Sequence, residues 1–456
     1  MPFIPSLYPL AFPYPIQFVL NWFLAYWWLW AFLALLALAF NVWMAYIQEY
    51  FKKKTSTWIM LEMHIPREMT QTPRAMDQVF SAIHAVRNSA SDLEERYWDG
   101  EVPQWFSFEA VSFGGEIHFY LFIPQIRRKH VEAAFYAMYP DIQFTEVPED
   151  YIGRLPATAM ELYEKGYRMF GNELLLSQNP VYPIRTYLDF ESVAEEKEVD
   201  PIGPLLETLS RIDPREHLWV QILARPKVDE FIGAFKREGE EEINKIREEG
   251  RFVRGPSGAP VIDPETGFPL YSIPSPGQVE KMKAINRKIG KPVFDVVIRY
   301  MYFSPPELFS MSFGRRSIFF AMNQYASEDF NKFSHNVFAW TLAKIWYSPY
   351  IFPRRRAAAR REWLYAKYRG REMHPETWFQ TVLKMRLFHW GFRPRNPPRG
   401  LSPALSTEEL ATLFHPPTKL VLTGPLIKRV EARRVGPPAT LPIYGEEDEK
   451  LPGIRE

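Results

Sequence analysis

A chain of 456 residues with 55 Lys and Arg against 54 Asp and Glu has a formal net charge of only +1, so no global field marks it for nucleic acid or an acidic partner. It has no cysteine, which excludes disulfides, cysteine-ligated iron–sulfur clusters and thiolate zinc sites together. The length allows roughly two to four domains, and the 41 prolines imply many loops and broken elements.

No charged side chain occurs before Glu49, and Phe18 to Ile47 is apolar almost throughout. As a helix, residues 18–47 would measure about 45 Å, against about 30 Å for the hydrocarbon core of a bilayer. A cleaved signal peptide needs a basic start and a shorter apolar core, and a buried core helix rarely runs so far uncharged. Trp22, Trp27 and Trp28 lie towards one end, Trp43 and Tyr46 towards the other, as interfacial aromatic belts do. Lys52, Lys53 and Lys54 follow, with no basic residue before the run. The positive-inside rule then places a single-pass protein in the cytoplasmic membrane, with residues 1–17 as a short extracytoplasmic segment and the body in the cytoplasm. Asn21 and Asn41 bracket an uninterrupted apolar and aromatic run, Trp22 to Phe40, about 28 Å long as a helix.

From Thr57 to Glu149 the elements alternate. Thr57–His64 carries Ile59, Leu61 and Met63 on one face of a strand. Thr72 as N-cap and Pro73 at the first position open a helix with Met76, Val79, Phe80, Ile83 and Val86 on one face. Trp105–Phe113 and Glu116–Ile123 read as strands joined by Gly114-Gly115, which supply the positive φ angles of a tight hairpin. A helix over Arg127–Tyr139, with Val131, Ala134, Phe135 and Met138 inward, leads to the strand Ile142–Val147. The order βαββαβ is that of a ferredoxin-like, split βαβ domain.

Residues 163–345 form a second, larger α+β domain, related in layout to the first but without a demonstrable sequence repeat. Pro183–Phe190 reads as a strand, and Asp200-Pro201 caps a helix running to Leu209. His217–Ala224 is a strand and Asp229–Glu249 a charged helix with Phe231, Ile232 and Phe235 apolar. The Pro/Gly-rich stretch Gly250–Gly277 is a loop, followed by the helix Gln278–Ile289 and a strand within Lys291–Pro305 that alternates Phe294, Val296 and Ile298.

Residues 351–400 are basic and helical. Arg354, Arg355, Arg356, Arg360, Arg361, Arg369 and Arg371 are interleaved with Trp363, Tyr365 and Tyr368. Three readings stay open: phosphate backbones held by Arg and aromatic stacking, anionic lipid, or a helical surface pairing with acidic stretches such as Glu146–Asp150 or Glu240–Glu242. Ser406 to Glu409 matches a capping box inside the junction 401–444, and 445–456 is an acidic tail expected to be disordered.

Pro66–Glu68, the run from Ser107 to Pro124, Val131–Tyr151 and the strand beginning at Lys291 resemble the membrane-anchored N-terminal region of conjugative, type IV secretion-like proteins. In many of these that region precedes a HerA/FtsK-type P-loop motor. The segment 401–444 resembles the junction leading into that motor. The motor motif itself fails: Gly290-Lys291 is followed by Pro292, and Ile285 stands where the first glycine belongs. No GxSxG or HExxH occurs, and no two of the nine histidines are spaced i, i+4. His118 reads as a structural strand residue.

The expectation is therefore a non-enzymatic, membrane-anchored subunit of a DNA or protein transfer machine, without cofactor or metal. It would form a homo-oligomeric collar and dock a P-loop ATPase in trans through 401–444. The alternatives are a scaffold bound to anionic lipid, or a DNA-binding adaptor working through the arginine-rich segment.

Overall fold

The computed structural model describes residues 22, 24–55, 57–66, 69–87, 92–191, 200–227, 229–249, 274–327, 329–337, 339–343, 352–374, 403–419 and 429–430. The expectations for residues 1–17, for the loop 251–273, for the basic segment beyond His374, for 431–444 and for the tail lie outside them. The chain divides into two compact units: Met1–Ser56 with Asn88–Val102 and Pro375–Leu387, and Thr57–Arg87 with Pro103–His374 and Phe388–Glu456.

In the first unit, helix α1 spans Trp27–Thr55. One helix, Trp27–Phe51, is long and apolar enough to cross a membrane. The helix runs on past the expected span, which ends at Ile47, through Lys52–Lys54, because neither Gly nor Pro interrupts Gln48–Thr55 and a helix need not stop where apolarity stops. Asn41 donates its side-chain amide to the Ala37 carbonyl at 2.7 Å, satisfying its polar head inside the helix. Ala31–Trp43 are exposed without exception. A single π-helical turn, Glu95–Asp99, packs on the helix from Phe40 onward, and the first residues that are not exposed follow at Met44.

Among the described residues the second unit is built on one ten-stranded sheet, whose two late strands, β9 (Ala404–Ser406) and β10 (Arg429–Val430), lie beside its seventh and its first strand. Its first half runs β1 (Trp58–Pro66), α2 (Pro73–Ala85), β2 (Phe106–Phe113), β3 (Glu116–Pro124), α3 (Arg128–Met138) and β4 (Gln143–Glu146). The strands stand in the order β4-β1-β3-β2, all antiparallel. The second half runs β5 (Arg168–Leu176), the short helices α5 (Tyr187–Glu191) and α6 (Gly203–Ser210), β6 (His217–Pro226), α7 (Asp229–Glu249), α8 (Pro276–Ile289), β7 (Val293–Ser304), α9 (Met311–Asn323) and β8 (Phe333–His335). A further short helix, α4 (Ala159–Glu164), precedes β5. Here the order is β6-β7-β5-β8, also antiparallel. The two orders are the same when β5–β8 replace β1–β4. The equivalent strands β2 and β6 pair antiparallel at the centre, as halves related by a two-fold would. The halves differ at the second connection: Gly114-Gly115 joins β2 to β3, whereas α7 and α8 are inserted between β6 and β7.

Both faces of the sheet are covered. Ile59, Leu61, Phe108, Phe119, Val220, Ile222, Phe294, Val296 and Ile298 share one apolar core with Met76, Val79, Phe80 and Ile83 of α2. The opposite face carries Met60, Val111, Trp219, Met301 and Phe303, covered by Leu364, Tyr365 and Tyr368 of α10 (Pro353–Arg369). Alternation along each strand feeds both layers.

Three local readings change. Met138 of α3 is exposed, not inward. Pro183–Phe190 is no strand, since its C-terminal part is α5. The strand of that region is β5, whose Gly171-Asn172-Glu173 centre hides the period-two pattern. Thr72 does stand at the N-cap of α2 with Pro73 following, but its side chain makes no cap hydrogen bond.

Candidate functional site

The covered face beneath α10 carries a row of polar residues standing directly opposite one another on six strands: Glu62, Tyr120, Glu109, Gln221, Arg299 and Glu173. Glu109, Gln221 and Arg299 are fully buried and Glu173 nearly so. A buried charge is tolerated only when paired and hydrogen-bonded, and these are. Gln221 Nε2 donates to Glu109 Oε1 at 3.0 Å and Arg299 Nε to Glu173 Oε1 at 2.7 Å. One strand turn away, Arg225 Nη2 meets Asp295 Oδ2 at 2.5 Å.

The row is closed from above by the chain that follows α10. Arg371 holds Glu109 in a two-point bond, Nε to Oε1 at 2.6 Å and Nη2 to Oε2 at 3.0 Å. Its remaining donors reach Asp150 at 2.5 and 3.1 Å, and its guanidinium lies over the Phe122 ring, 4.2 Å from the centroid. Such a fork satisfies both carboxylates at once. Beside it the hydroxyls of Tyr151 and Tyr368 lie 3.1 Å apart. At the other end His374 Nε2 lies 3.5 Å from Glu173 Oε2.

Burial alone would push Arg371 towards neutrality, but Glu109 and Asp150 outweigh it and raise its pKa well above the ordinary value. For Glu173 burial likewise opposes charge, and His374, Arg299 and Lys367 together bring it down to about 2. Asp295 is lowered in the same way by Arg225 and Lys227. Burial holds His374 down to about 4, so it is neutral at pH 7. Burial and Glu109 raise both tyrosines.

These contacts correct part of the expected nucleic-acid or lipid surface. Arg356, Arg360 and Arg371 are buried. Arg360 donates to the carbonyls of Val337 and Leu342. Arg369 donates to those of Ile152, Leu155 and Pro156, and Arg361 lies over Tyr163. Arg354 and Arg355 remain exposed. Beyond Arg355 this arginine-rich stretch is a lid: Arg360 and Arg369 turn their charge to carbonyls of their own chain, and Arg371 turns its charge to carboxylates.

The first part of the junction, 403–419, reads differently as well, while most of 420–444 lies outside the described residues. Residues 403–418 are buried throughout: β9 (Ala404–Ser406) pairs with β7, and α11 (Thr407–Leu413) packs on α2. The Ser406–Glu409 capping box forms as expected. Glu409 also accepts from the Ile184 amide at 2.9 Å and pairs with buried Lys288 at 3.0 Å. His415 Nε2 lies 2.8 Å from Asp200 Oδ1, whose partner oxygen accepts from Thr418. Burial opposes charge on Asp200, yet His415 and these amides bring it down to about 2. This stretch is core, not a free docking surface.

Of the anchor residues, Trp22, Trp27, Trp28, Trp43 and Tyr46 are exposed, and Lys52–Lys54 continue α1. The sequence reading missed the π-helical turn beside them. Its only signal is the aromatic pair Tyr97-Trp98 inside an acidic run. Among the described residues no group of His, Asp and Glu could hold a metal ion. His118 Nδ1 contacts Glu62 Oε1 at 2.7 Å, both side chains being part-buried.

The architecture is thus that of an α+β protein with, among the described residues, one apolar helix of membrane-spanning length. A family model described as a domain of unknown function, DUF8128, matches residues 45–312, more than half of the 456 residues, and the chain belongs to that family. The match takes in Glu109, Asp150, Glu173 and Arg299 and ends before Arg371 and α11. No curated protein matches the chain.

Proposed function

We propose that this protein is a membrane-anchored, non-catalytic scaffold. The observation that carries the reading is the apolar surface of α1 from Ala31 to Trp43, a length of about 20 Å in which every residue is exposed. The buried seam supports it in a second way, since its strongest charges are engaged with one another. We read each half of the sheet as a ferredoxin-like, split βαβ unit, on the strand orders β4-β1-β3-β2 and β6-β7-β5-β8.

In the finer reading the scaffold belongs to a conjugative, type IV secretion-like transfer machine of the cytoplasmic membrane. Its N-terminus lies outside, its body forms a homo-oligomeric collar in the cytoplasm, and a HerA/FtsK-type ATPase docks in trans. With 403–419 in the core, docking falls to other surfaces of the body. Gentle detergent extraction of the native complex tests this: a P-loop ATPase co-purifies if the reading holds. A partnerless monomer sinks it.

A second reading keeps anionic lipid as the partner of Arg354 and Arg355, the exposed arginines of α10. Flotation with anionic liposomes decides it, because a chain lacking α1 still floats only if these arginines clasp lipid. A DNA-binding adaptor would show affinity that falls steeply with salt. No shift in a gel at low salt removes that reading.

A further inference from the structure

The segment Asp92–Val102 lies between α2 and β2 in sequence but belongs to the compact unit of α1. It is fastened there by specific contacts. Trp43 Nε1 donates to the Tyr97 carbonyl at 3.0 Å. The Trp43 ring lies 5.9 Å from that of Trp98, and Phe40 lies 5.9 Å from Tyr97. Gly100 ends the π-helical turn at φ +68°, and a Cβ there would sit 2.7 Å from the backbone carbon of Ile47. The turn is therefore fixed in height along the helix, at the level of Trp43 to Ile47.

What it presents at that level is apolar and uncovered. Leu93 is 76% and Trp98 70% exposed, and on α1 Trp43, which meets the Trp98 ring, Tyr46 and Tyr50 are exposed too. Tyr46 and Tyr50 stack at 6.4 Å, and Trp43 and Tyr46 lie 6.5 Å apart. Along α1 the rise from Trp27 to Tyr46 is about 28 Å, close to the thickness of a hydrocarbon core. Two aromatic levels that distance apart match the two faces of a bilayer, and indole and phenol rings favour that boundary.

We infer that Leu93 and the Tyr97-Trp98 turn form a second membrane contact, seated at the boundary between headgroups and acyl chains beside the C-terminal half of α1. The occupant is the phospholipid bilayer itself, in continuity with the spanning surface of the helix. Zwitterionic lipid suffices, because Asp92, Glu94, Glu95, Asp99 and Glu101 surround the apolar residues and disfavour an anionic headgroup. This inference rests on the reading of α1 as a membrane span. It adds that the span is held at one depth and rotation by a protein element on its flank.

The chain has no cysteine, so single cysteines can be introduced and labelled one at a time. Full-length protein in phosphatidylcholine vesicles carries an environment-sensitive fluorophore on Trp98→Cys, Leu93→Cys or, as reference for the span, Leu35→Cys. These side chains are exposed; Trp98→Cys gives up the ring contact with Trp43 but keeps the Trp43 bond to the Tyr97 carbonyl, and Leu93→Cys keeps both. The expected result is blue-shifted emission at 93 and 98, quenched more by a nitroxide near the lipid headgroup than by one deep in the acyl chain, with the reverse order at 35. If 35 is quenched by lipid while 93 and 98 are quenched freely by aqueous iodide, the inference is overturned and the span stands. Blue-shifted labels at 93 and 98 that no lipid quencher reaches mean protein cover by a second copy, and also overturn it. A label at 35 that no lipid quencher reaches removes the span and this inference together.

Discussion

Arg371 grips Glu109 through two nitrogens across a sequence separation of 262 residues, both side chains being out of reach of water. Removing one partner of such a pair leaves an uncompensated buried charge, which costs about 3–5 kcal/mol. Arg371→Ala should therefore lower the denaturant midpoint sharply. Arg371→Lys should recover only part, because an ammonium cannot span both carboxylate oxygens. Replacing both, Arg371→Met with Glu109→Leu, should return most of the stability. An Arg371→Ala protein unfolding at the wild-type midpoint would contradict this account.

Acid should weaken the fold in two windows. His374 is held near 4 against an ordinary 6.5, so on acidification the unfolded chain takes the proton first. Its contribution is complete above pH 6.5 and declines between 6.5 and 4, by on the order of 3 kcal/mol. Glu173 and Asp200, both lowered to about 2, contribute fully above about 4.5 and lose that contribution as pH falls towards 2. His374→Gln should flatten the upper window without abolishing its slope, since burial also lowers His217 and His335. The pH dependence of the unfolding midpoint between pH 4 and 8 measures it.

The stretch 403–419 should behave as core. Glu409→Gln leaves the Lys288 ammonium buried without its counter-charge, at a cost of about 3–5 kcal/mol. Ser406→Ala removes the N-cap acceptor and one hydroxyl donor to Glu409, about 1 kcal/mol. A chain ending at Lys419 should unfold cooperatively, whereas one ending at Arg399 should not. Circular dichroism melts of the two truncations compare them directly.

Gly114 adopts φ +59°, and a Cβ there would meet the Pro214 carbonyl oxygen at 2.5 Å and its Cα at 2.7 Å. Backbone cannot move aside as a side-chain tip can, so Gly114→Ala should cost about 2 kcal/mol or more. Gly153→Ala, where a Cβ meets nothing within 4 Å, should stay within about 0.5 kcal/mol. Paired melts of the two variants test the contrast.

Local rules carried most of the secondary structure. Thr72-Pro73, Gly114-Gly115, the alternation of Phe294, Val296 and Ile298 and the Ser406–Glu409 box each act within a few residues, and each reappears in the fold. What stayed hidden depends on partners far along the chain. Glu173 looks like an interruption in β5 until Arg299 stands beside it. The arginines of α10 and of the turn that follows it look like a surface because composition gives charge but not direction, and only the fold shows Arg371 turned onto Glu109 and Asp150. The shared order of the two halves leaves no sequence repeat, since topology constrains which strands meet and not which side chains fill them.

The distance between Glu109 and Arg371 also sets a clock. At about 5–20 residues per second, the ribosome needs roughly 13–52 s to make the 262 residues between them. Through that interval the strand pair β2–β3 can close, but its carboxylate has no guanidinium to meet. The far face of the nascent sheet should therefore stay hydrated and protease-sensitive until α10 has left the exit tunnel. Limited proteolysis of ribosome-stalled chains ending before and after Arg371 would read the moment at which the seam dries.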